Sequence, residues 1–253
     1  MSFRKTFECF GLVIHGFGLD DAMAYVEDTR THGGQMWIVT ANPEILLYAK
    51  RTPSYWQTIR QADLRLVDGA GLQFVGWLSG ASPKRLRGAD FAEALVRQAA
   101  EQGRSVAFVG GSPGVADKAA WSMRQRYPAL RVTSEQGGSV DMNGVGDASN
   151  EEALHRLTMN APDVLLVAFG HPKQEEWIKR HLANLPSVKI AVGVGGTLDF
   201  WAGTAKPAPK ILRVLGLEWF WRLIREPRRW RRILDAVVIF PFTFVMDRIR
   251  KNP

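Results

Sequence analysis

The fold of this chain is decided by Asp163–Phe169 (DVLLVAF), which Gly170–Glu175 (GHPKQE) follows directly. The first stretch is a short, continuous apolar run, as is typical of a strand buried on both faces of a sheet. The second is a glycine turn leading into a helical pattern over Pro172–Leu182. A buried strand followed at once by a helix is the repeating unit of a parallel α/β sheet.

The same strand-then-helix unit recurs along the chain. The other predicted elements are strands at Met36–Thr40, Leu64–Asp68, Ser105–Gly110 and Lys189–Val194, and helices at Asp20–Arg30, Pro43–Arg51, Gly71–Leu78, Asp90–Gln102 and Pro113–Tyr127. Phe7–Ile14 is expected to add a strand or hairpin arm, and Gly137–Asn150 to form a surface loop. The predicted fold class is therefore α/β, with a Rossmann-like, mostly parallel sheet flanked by helices.

Composition and charge divide the chain into two parts. Its 253 residues are 46% hydrophobic, which excludes wholesale disorder, and the single Cys9 excludes an internal disulfide. The net charge of +8 lies entirely in Thr204–Pro253, which holds 12 basic and 4 acidic residues. We therefore predict an α/β domain over residues 1–205 and a basic, Trp-rich helical appendage over 206–253. Such an appendage suits an anionic partner.

No targeting or membrane-spanning segment is predicted. The N-terminal residues lack an apolar core of the kind that secretory signals carry. The longest apolar stretch, Ala236–Met246, is interrupted by Pro241 and is too short to cross a bilayer. Any membrane contact is therefore expected at the surface.

Loops that follow the strands are the expected ligand-binding positions, because ligands of parallel sheets bind at the carboxyl ends of the strands. These loops are Thr40–Pro43, Asp68–Gly71, Gly110–Gly114, Gly170–Glu175 and Gly195–Asp199. Two of them are glycine-rich and could hold a phosphate on backbone N–H groups, although for either loop alone a tight turn of an α/β fold is the better interpretation. No dinucleotide fingerprint is present, since Leu198 replaces its third glycine, and there is no P-loop.

Asp68 has two interpretations. A carboxylate after a buried strand and beside Gly69 and Gly71 can approach a ligand and act as a general base. It can equally be the N-cap of the helix that follows, which from position alone is the commoner role. Both interpretations stay open at this point.

Several other chemistries are not indicated. The five histidines are scattered, and neither an HExxH nor an Asp-x-Asp pair occurs, so no metal site is predicted. Ser112 lies outside a GxSxG elbow, which leaves a serine hydrolase unsupported. A nucleotide-sugar dehydrogenase or epimerase would need the missing dinucleotide fingerprint and a Tyr-x-x-x-Lys pair. A further possibility is that the chain is not an enzyme and uses its basic end to bind a membrane or a nucleic acid.

The basic end combines arginines with tryptophans. Arg222 and Arg225 are three residues apart and share a helix face, and Trp219, Trp221 and Trp230 are of the kind found at membrane interfaces. Such a pattern also fits a solvated basic face or nucleic acid. Because an apolar segment follows and no nucleic-acid recognition motif occurs, a lipid surface is favoured.

Taken together, these loops resemble those of a known family. The matching stretches are Thr40–Glu44, Asp68–Gly71, Arg85–Asp90, Gly110–Gly114, Gly170–Glu175, Gly193–Phe200 and Gly216–Arg229. No single motif is decisive, but the set is specific and runs in family order over most of the chain. On these motifs the chain is similar to the WecG/TagA/CpsF glycosyltransferases.

The resemblance implies an inverting, metal-independent enzyme that moves a sugar from a UDP-sugar to an undecaprenyl-diphosphate-linked saccharide. The products would serve bacterial exopolysaccharide, capsule or teichoic acid synthesis. It implies no cofactor and no nucleic acid partner. The enzyme would be cytoplasmic, attached peripherally to the anionic inner face of the cell membrane, and homo-oligomer formation is left open.

The resemblance also carries roles to individual residues. Asp68 becomes the expected base, and Thr40, Asn42 and Gln174 are expected in the sugar-nucleotide pocket. Diphosphate groups are expected to meet Arg85, Arg222, Arg225 and Arg229. The loop glycines Gly110, Gly111 and Gly195 complete the predicted substrate-binding set.

Overall fold

The computed structural model describes residues 5–209, 211–212, 215–225 and 230–251, without the side chains of Arg222, Arg225 and Lys251. The strands over this part are β1 Thr6–Cys9, β2 Leu12–His15, β3 Met36–Ala41, β4 Leu64–Val67, β5 Ser105–Gly110, β6 Arg131–Glu135, β7 Val164–Ala168 and β8 Ile190–Gly193. All the strands predicted from apolar runs are confirmed to within two residues at each end.

Helices alternate with these strands. They are α1 Leu19–Thr31, α2 Pro43–Arg51, α3 Pro53–Arg60, α4 Ala70–Leu78, α5 Gly88–Glu101, α6 Val115–Arg126, α7 Ala148–Asn160, α8 Lys173–His181, α9 Thr197–Trp201, α10 Glu218–Arg225, α11 Trp230–Leu234 and α12 Phe240–Lys251. A short 3₁₀ turn, Leu182–Asn184, follows α8, and a π-helical segment, Asp235–Ile239, joins α11 to α12.

The strands form one sheet in the order β1-β2-β4-β3-β8-β7-β5-β6. Only the β1–β2 pair is antiparallel in this sheet, with Phe7 opposite Ile14, and the other pairings are parallel. The mostly parallel sheet and the N-terminal hairpin are therefore confirmed. All the parallel strands end at one edge, which gathers the loops that follow them.

Helices cover both faces of the sheet. In β3, Trp37 and Val39 pack towards α2, α3 and α8, whereas Met36 and Ile38 pack towards α1, α5 and α6. This alternation follows from the two-residue repeat of a strand, and it explains why a strand between two helical layers is apolar throughout.

The loop predicted from the sequence at Gly137–Asn150 was wrong over its last three residues. Gly137–Asn150 was expected to be a surface loop, but α7 begins at Ala148, where the Asp147 side chain accepts a hydrogen bond from Asn150 N at 3.1 Å. Val140 within this stretch is also buried. The polar run that suggested a loop is in part a capped helix start.

The C-terminal helices pack on the sheet domain. Phe240 and Phe244 are buried, and both rings lie against Phe10 in the β1–β2 turn. The π-helical segment ends just before Pro241, which has no N–H for a regular helical bond. In the described part of the chain, no helix is long and apolar enough to cross a membrane. The domain division at residues 205 and 206 stays a prediction.

Candidate active site

The predicted ligand loops form a row along the carboxyl edge of the sheet. Five neighbouring parallel strands, in the order β4-β3-β8-β7-β5, end there. At the spacing of sheet strands this row is about 19 Å long. Asp68 follows the first strand of the row and Gly111 the last.

Asp68 does not occupy the N-cap position of the helix that follows. The N-cap is Gly69, with φ of 90°, so the residue at the cap position carries no side chain. The Asp68 backbone N–H donates to Ala41 O at 2.8 Å, which continues the β4–β3 pairing and places the half-buried Asp68 beside the β3 loop. The prediction that Asp68 occupies the N-cap is therefore wrong, because α4 begins at Ala70 and Asp68 is one residue before its cap.

Gly71 lets three segments meet next to Asp68. A Cβ at this position would lie 3.0 Å from Pro43 Cγ and 3.4 Å from Ala236 O. The start of α2, the start of α4 and the C-terminal segment therefore converge at the Asp68 loop.

Thr40 and Asn42 end β3 and begin α2. The Thr40 hydroxyl donates to Gly193 O at 3.2 Å, and a Cβ on Gly88 would lie 3.1 Å from that hydroxyl oxygen. The Asn42 side-chain oxygen accepts from Ile45 N at 3.0 Å, so Asn42 is the N-cap of α2, as its position before Pro43 indicates. The roles of Thr40 and Asn42 in substrate binding stay predictions.

Gln174 is almost completely buried in the first turn of α8. Its side-chain oxygen accepts a hydrogen bond from Gly195 N at 3.0 Å, and its side-chain nitrogen donates to Glu175 Oε1 at 2.7 Å. The structure thus joins Gln174 and Gly195, two residues predicted separately. The other oxygen of this carboxylate, Glu175 Oε2, accepts a hydrogen bond from the Tyr55 hydroxyl at 3.1 Å.

Gly110 and Gly111 stand where β5 and β7 end side by side. Both have positive φ, and a Cβ on Gly110 would lie 3.0 Å from the Ala168 carbonyl carbon. Gly111 N donates to Ala168 O at 3.0 Å. The connection after β5 runs outward to β6 and that after β7 runs inward to β8, which makes this crevice a topological switch point.

The C-terminal segment reaches the same edge. A Cβ on Gly216 would lie 2.8 Å from Ala70 Cβ and 3.1 Å from Arg85 Nη1. Glu218 carboxylate oxygen lies 3.5 Å from Arg87 Nη1. Since Ala70 is two residues from Asp68, the segment that begins at Gly216 lines the site next to the candidate base.

Ion pairs with α2 connect the rest of this segment to the body. Arg232 Nη2 lies 2.6 Å from Glu44 Oε2 in the first turn of α2. At the other end of the same helix, Arg51 pairs with Asp235 at 3.1 Å and Lys50 pairs with Asp247. One helix that starts at the site therefore carries three contacts to the C-terminal helices.

Helix N-termini give the site a positive electrostatic character. The helices α2, α4, α6 and α8 begin at this edge directly after their strands, and α5 begins beside Thr40. Their dipoles and free N–H groups favour an anion such as a diphosphate. Burial lowers the pKa of His171 to about 4, against the opposing effect of Glu44, so His171 is neutral near pH 7.

Three predicted diphosphate ligands cannot be placed. Arg222 and Arg225 belong to α10, but their side chains lie outside the described residues, as does Arg229 entirely. Within the described residues, no three His, Cys, Asp or Glu side chains lie close enough together to hold a metal ion.

Sequence reasoning overlooked four residues at this site. Tyr55 and Glu175 were not singled out because their partnership spans 120 residues of chain. Arg87 and Glu218 were not singled out because their ion pair depends on how the C-terminal segment folds back. The available signal was that Glu175, Arg87 and Glu218 each lie in a stretch that matches the family, with Glu175 next to Gln174.

The sequence of this chain is similar to those of several known proteins. A family model described as Glycosyl transferase WecG/TagA/CpsF family matches residues 7–253. An N-acetylglucosaminyldiphosphoundecaprenol N-acetyl-beta-D-mannosaminyltransferase of Staphylococcus aureus is 33% identical over 82% of this chain and 78% of its own length. A protein of the same name from Bacillus spizizenii is 32% identical over 79% of this chain and 75% of its own. These matches do not favour the non-catalytic alternative, and the chain belongs to the WecG/TagA/CpsF glycosyltransferase family.

Proposed function

We propose that this enzyme transfers a sugar from a UDP-sugar to an undecaprenyl-diphosphate-linked saccharide, with inversion and without a metal ion. The observation that carries the proposal is the position of Asp68. The half-buried Asp68 follows β4, precedes the N-cap Gly69 of α4, and belongs to the loop where the start of α2 and the C-terminal segment converge. This is where a lipid-linked acceptor entering from the C-terminal side would meet a donor held along the strand ends.

In the proposed step, Asp68 takes the proton of the acceptor hydroxyl as the oxygen attacks the anomeric carbon of the donor. The new glycosidic bond forms on one face while the bond to the UDP oxygen breaks on the other, and that electron pair leaves with UDP. Helix N-termini and arginines such as Arg85 stabilise the diphosphate. Holding both substrates in line lowers the barrier by several kcal/mol.

The relatives support one donor and acceptor pair above others. Two of them are named for transfer of N-acetylmannosamine to N-acetylglucosaminyl-diphosphoundecaprenol. We extend this pair to the present chain as the first to test.

Peripheral attachment to the cytoplasmic face of the membrane completes the proposal. An apolar face of exposed side chains supports it, formed by α4 and α12 together: Phe74, Trp77, Leu78, Phe242, Val245 and Ile249. The two helices are in contact, since Arg248 Nη1 donates to Leu78 O at 2.7 Å. The exposed Arg231 and Arg250 add positive charge to the same segment, which suits anionic lipid.

The sequence prediction placed membrane contact only after residue 206, whereas this face includes α4. Because α4 begins two residues after Asp68, a bilayer seated on it would lie close to the candidate base. An acceptor anchored in that bilayer would then need to expose only its diphosphate and sugar.

The proposal is tested by incubating the purified chain with UDP-N-acetylmannosamine, UDP-N-acetylglucosamine, UDP-glucose and UDP-galactose. Each is paired with short-chain prenyl-diphosphate acceptors that carry N-acetylglucosamine, and released UDP and the product mass are measured. We expect one donor to give UDP only when acceptor is present. Absence of acceptor-dependent UDP release with every pair would contradict the proposed function.

A further inference from the structure

Glu175 is a carboxylate that the proposed reaction leaves unexplained. It is 1% exposed, and its two oxygens accept hydrogen bonds from two different donors, the Gln174 side-chain nitrogen and the Tyr55 hydroxyl. Burying such a group is costly unless its oxygens are satisfied. A fold that only needed to fill this volume could use an apolar side chain.

The contacts of Gln174 show what the carboxylate does. A side-chain amide is nearly symmetric in shape, so either end could face Gly195 N. Only its oxygen can accept from Gly195 N–H, and only its nitrogen can donate to Glu175. The carboxylate therefore selects the amide orientation that supplies an acceptor to the Gly195 turn.

Packing leaves the Gln174 side chain little freedom to move. A Cβ at Gly193 would lie 2.6 Å from its nitrogen and 3.1 Å from Glu175 Oε1. Gly193 O also accepts from the Thr40 hydroxyl. The chain of contacts thus runs from Tyr55 on α3 through Glu175 and Gln174 to Gly195, and Thr40 joins it at Gly193.

We infer that Glu175, held by Tyr55, is a positioning residue for glycosyl transfer, which fixes the Gln174 amide and through it the Gly195 turn. It touches no substrate in this role. The inference rests on the proposed function for its kinetic consequence, and on the hydrogen-bond geometry alone for its structural one.

Two opposing effects act on the pKa of the Glu175 carboxyl. Burial raises the pKa of Glu175 to about 7, while the hydrogen bonds from Gln174 and Tyr55 favour the ionised form and oppose the rise. Burial and the neighbouring Glu175 raise the pKa of Tyr55, so its hydroxyl keeps its proton and remains a donor.

The test uses Glu175→Gln in the full-length chain. This change keeps the volume but replaces one acceptor oxygen with an NH₂ group, so either Tyr55 or Gln174 loses its acceptor. We expect kcat/KM for the UDP-sugar to fall about 10- to 100-fold, as misplacement of a positioned group does. Tyr55→Phe, which removes a single hydroxyl, should give a smaller fall and serves if Glu175→Gln does not fold.

A double-mutant cycle separates positioning from general structural damage. If Glu175 acts through Gln174, then Glu175→Gln should change kcat/KM less than about threefold in a Gln174→Ala background. Lys179→Met is the matched control, because Lys179 also joins α8 to α3, through Thr58 at 3.1 Å, without touching Gln174. It should leave kcat/KM within about twofold.

A second measurement does not depend on activity. The Gly195 amide hydrogen is held by Gln174, so its exchange with solvent should be about 10-fold faster in Glu175→Gln and unchanged in Lys179→Met. Unchanged Gly195 exchange together with unchanged kcat/KM in folded Glu175→Gln would overturn the inference. So would a double variant whose loss of kcat/KM equals the product of the two single-variant losses. If the wild-type chain transfers no sugar, the proposed function fails and the exchange result alone decides this inference.

Discussion

Phe240 packs edge-on against Phe10, with ring centroids 5.8 Å apart and an angle of 88° between the ring planes. Phe10 stands in the turn of the first hairpin and Phe240 begins the last helix, so the two ends of the chain share one buried contact. The C-terminal helices are therefore part of the hydrophobic core as well as a candidate membrane surface.

The first prediction concerns that contact. Phe240→Ala removes a fully buried ring and should lower the free energy of unfolding by about 3–5 kcal/mol. Urea unfolding followed by circular dichroism measures the loss. Phe242→Ala is the matched control, since Phe242 is 64% exposed on the same helix and should change stability by about 0.5 kcal/mol or less. Equal losses in the two variants would mean that α12 does not pack on Phe10.

The second prediction assigns the base. Asp68→Asn keeps the shape of the side chain but removes its ability to accept the acceptor proton, so turnover should fall about 10²–10⁴-fold. UDP affinity, measured by calorimetry, should stay nearly unchanged because the helix starts that hold the diphosphate are intact. Near-normal turnover in the variant would place the base elsewhere.

The third prediction concerns metal dependence. The sequence holds no Asp-x-Asp pair, and arginines and helix N-termini are proposed to hold the diphosphate. Activity measured as UDP release should therefore persist in excess EDTA. Loss of activity that Mg²⁺ or Mn²⁺ restores would contradict the metal-free mechanism.

The fourth prediction tests the apolar face of α4 and α12. Phe242→Gln combined with Ile249→Gln removes two exposed apolar groups, and binding to anionic vesicles should weaken about 10-fold or more. Vesicle sedimentation at low and high salt measures it, and salt should weaken the wild-type interaction further. Trp121→Gln is the control, since Trp121 is an exposed aromatic on α6 at the opposite end of the sheet. Equal weakening by Trp121→Gln would contradict this assignment.

The fifth prediction follows from the raised pKa of Glu175. Its pKa is about 7 in the folded chain and near 4.5 in the unfolded chain, so between these values only the folded state keeps the proton. Stability contributed by this group is therefore present below pH 4.5 and is lost as the pH rises to about 7, on the order of 3 kcal/mol. The Glu175→Gln variant has no titrating carboxyl at this position, so it does not lose this stability as the pH rises.

Unfolding free energies of the wild type and Glu175→Gln should accordingly diverge between pH 4.5 and 7, in favour of the variant, and run parallel above. The lowered pKa values of His15 and His171 give both proteins the same loss of stability below pH 6.5, so they cancel in the difference. Curves that stay parallel throughout would mean that Glu175 titrates normally in the folded state.

Much of this protein could be predicted by local reasoning. Asp163–Phe169 and its counterparts are apolar without interruption because each strand is covered on both faces, and that pattern alone identifies a parallel sheet. Once the strands are known, the positions at their carboxyl ends follow, and Thr40, Asp68, Gly111 and Gln174 lie at or just after these ends. The N-cap at Asn42 was equally readable, because capping depends on residues three apart.

Long-range contacts decided the rest. Whether Asp68 capped a helix depended on where α4 begins, which Gly69 and the packing of Pro43 on Gly71 settle. The Tyr55–Glu175 bond and the Arg87–Glu218 ion pair join residues that no short window contains. The sequence showed an apolar stretch at Ala236–Met246 within a basic end, but only the docking of Phe240 and Phe244 on Phe10 decided which of its apolar side chains are buried and which stay exposed.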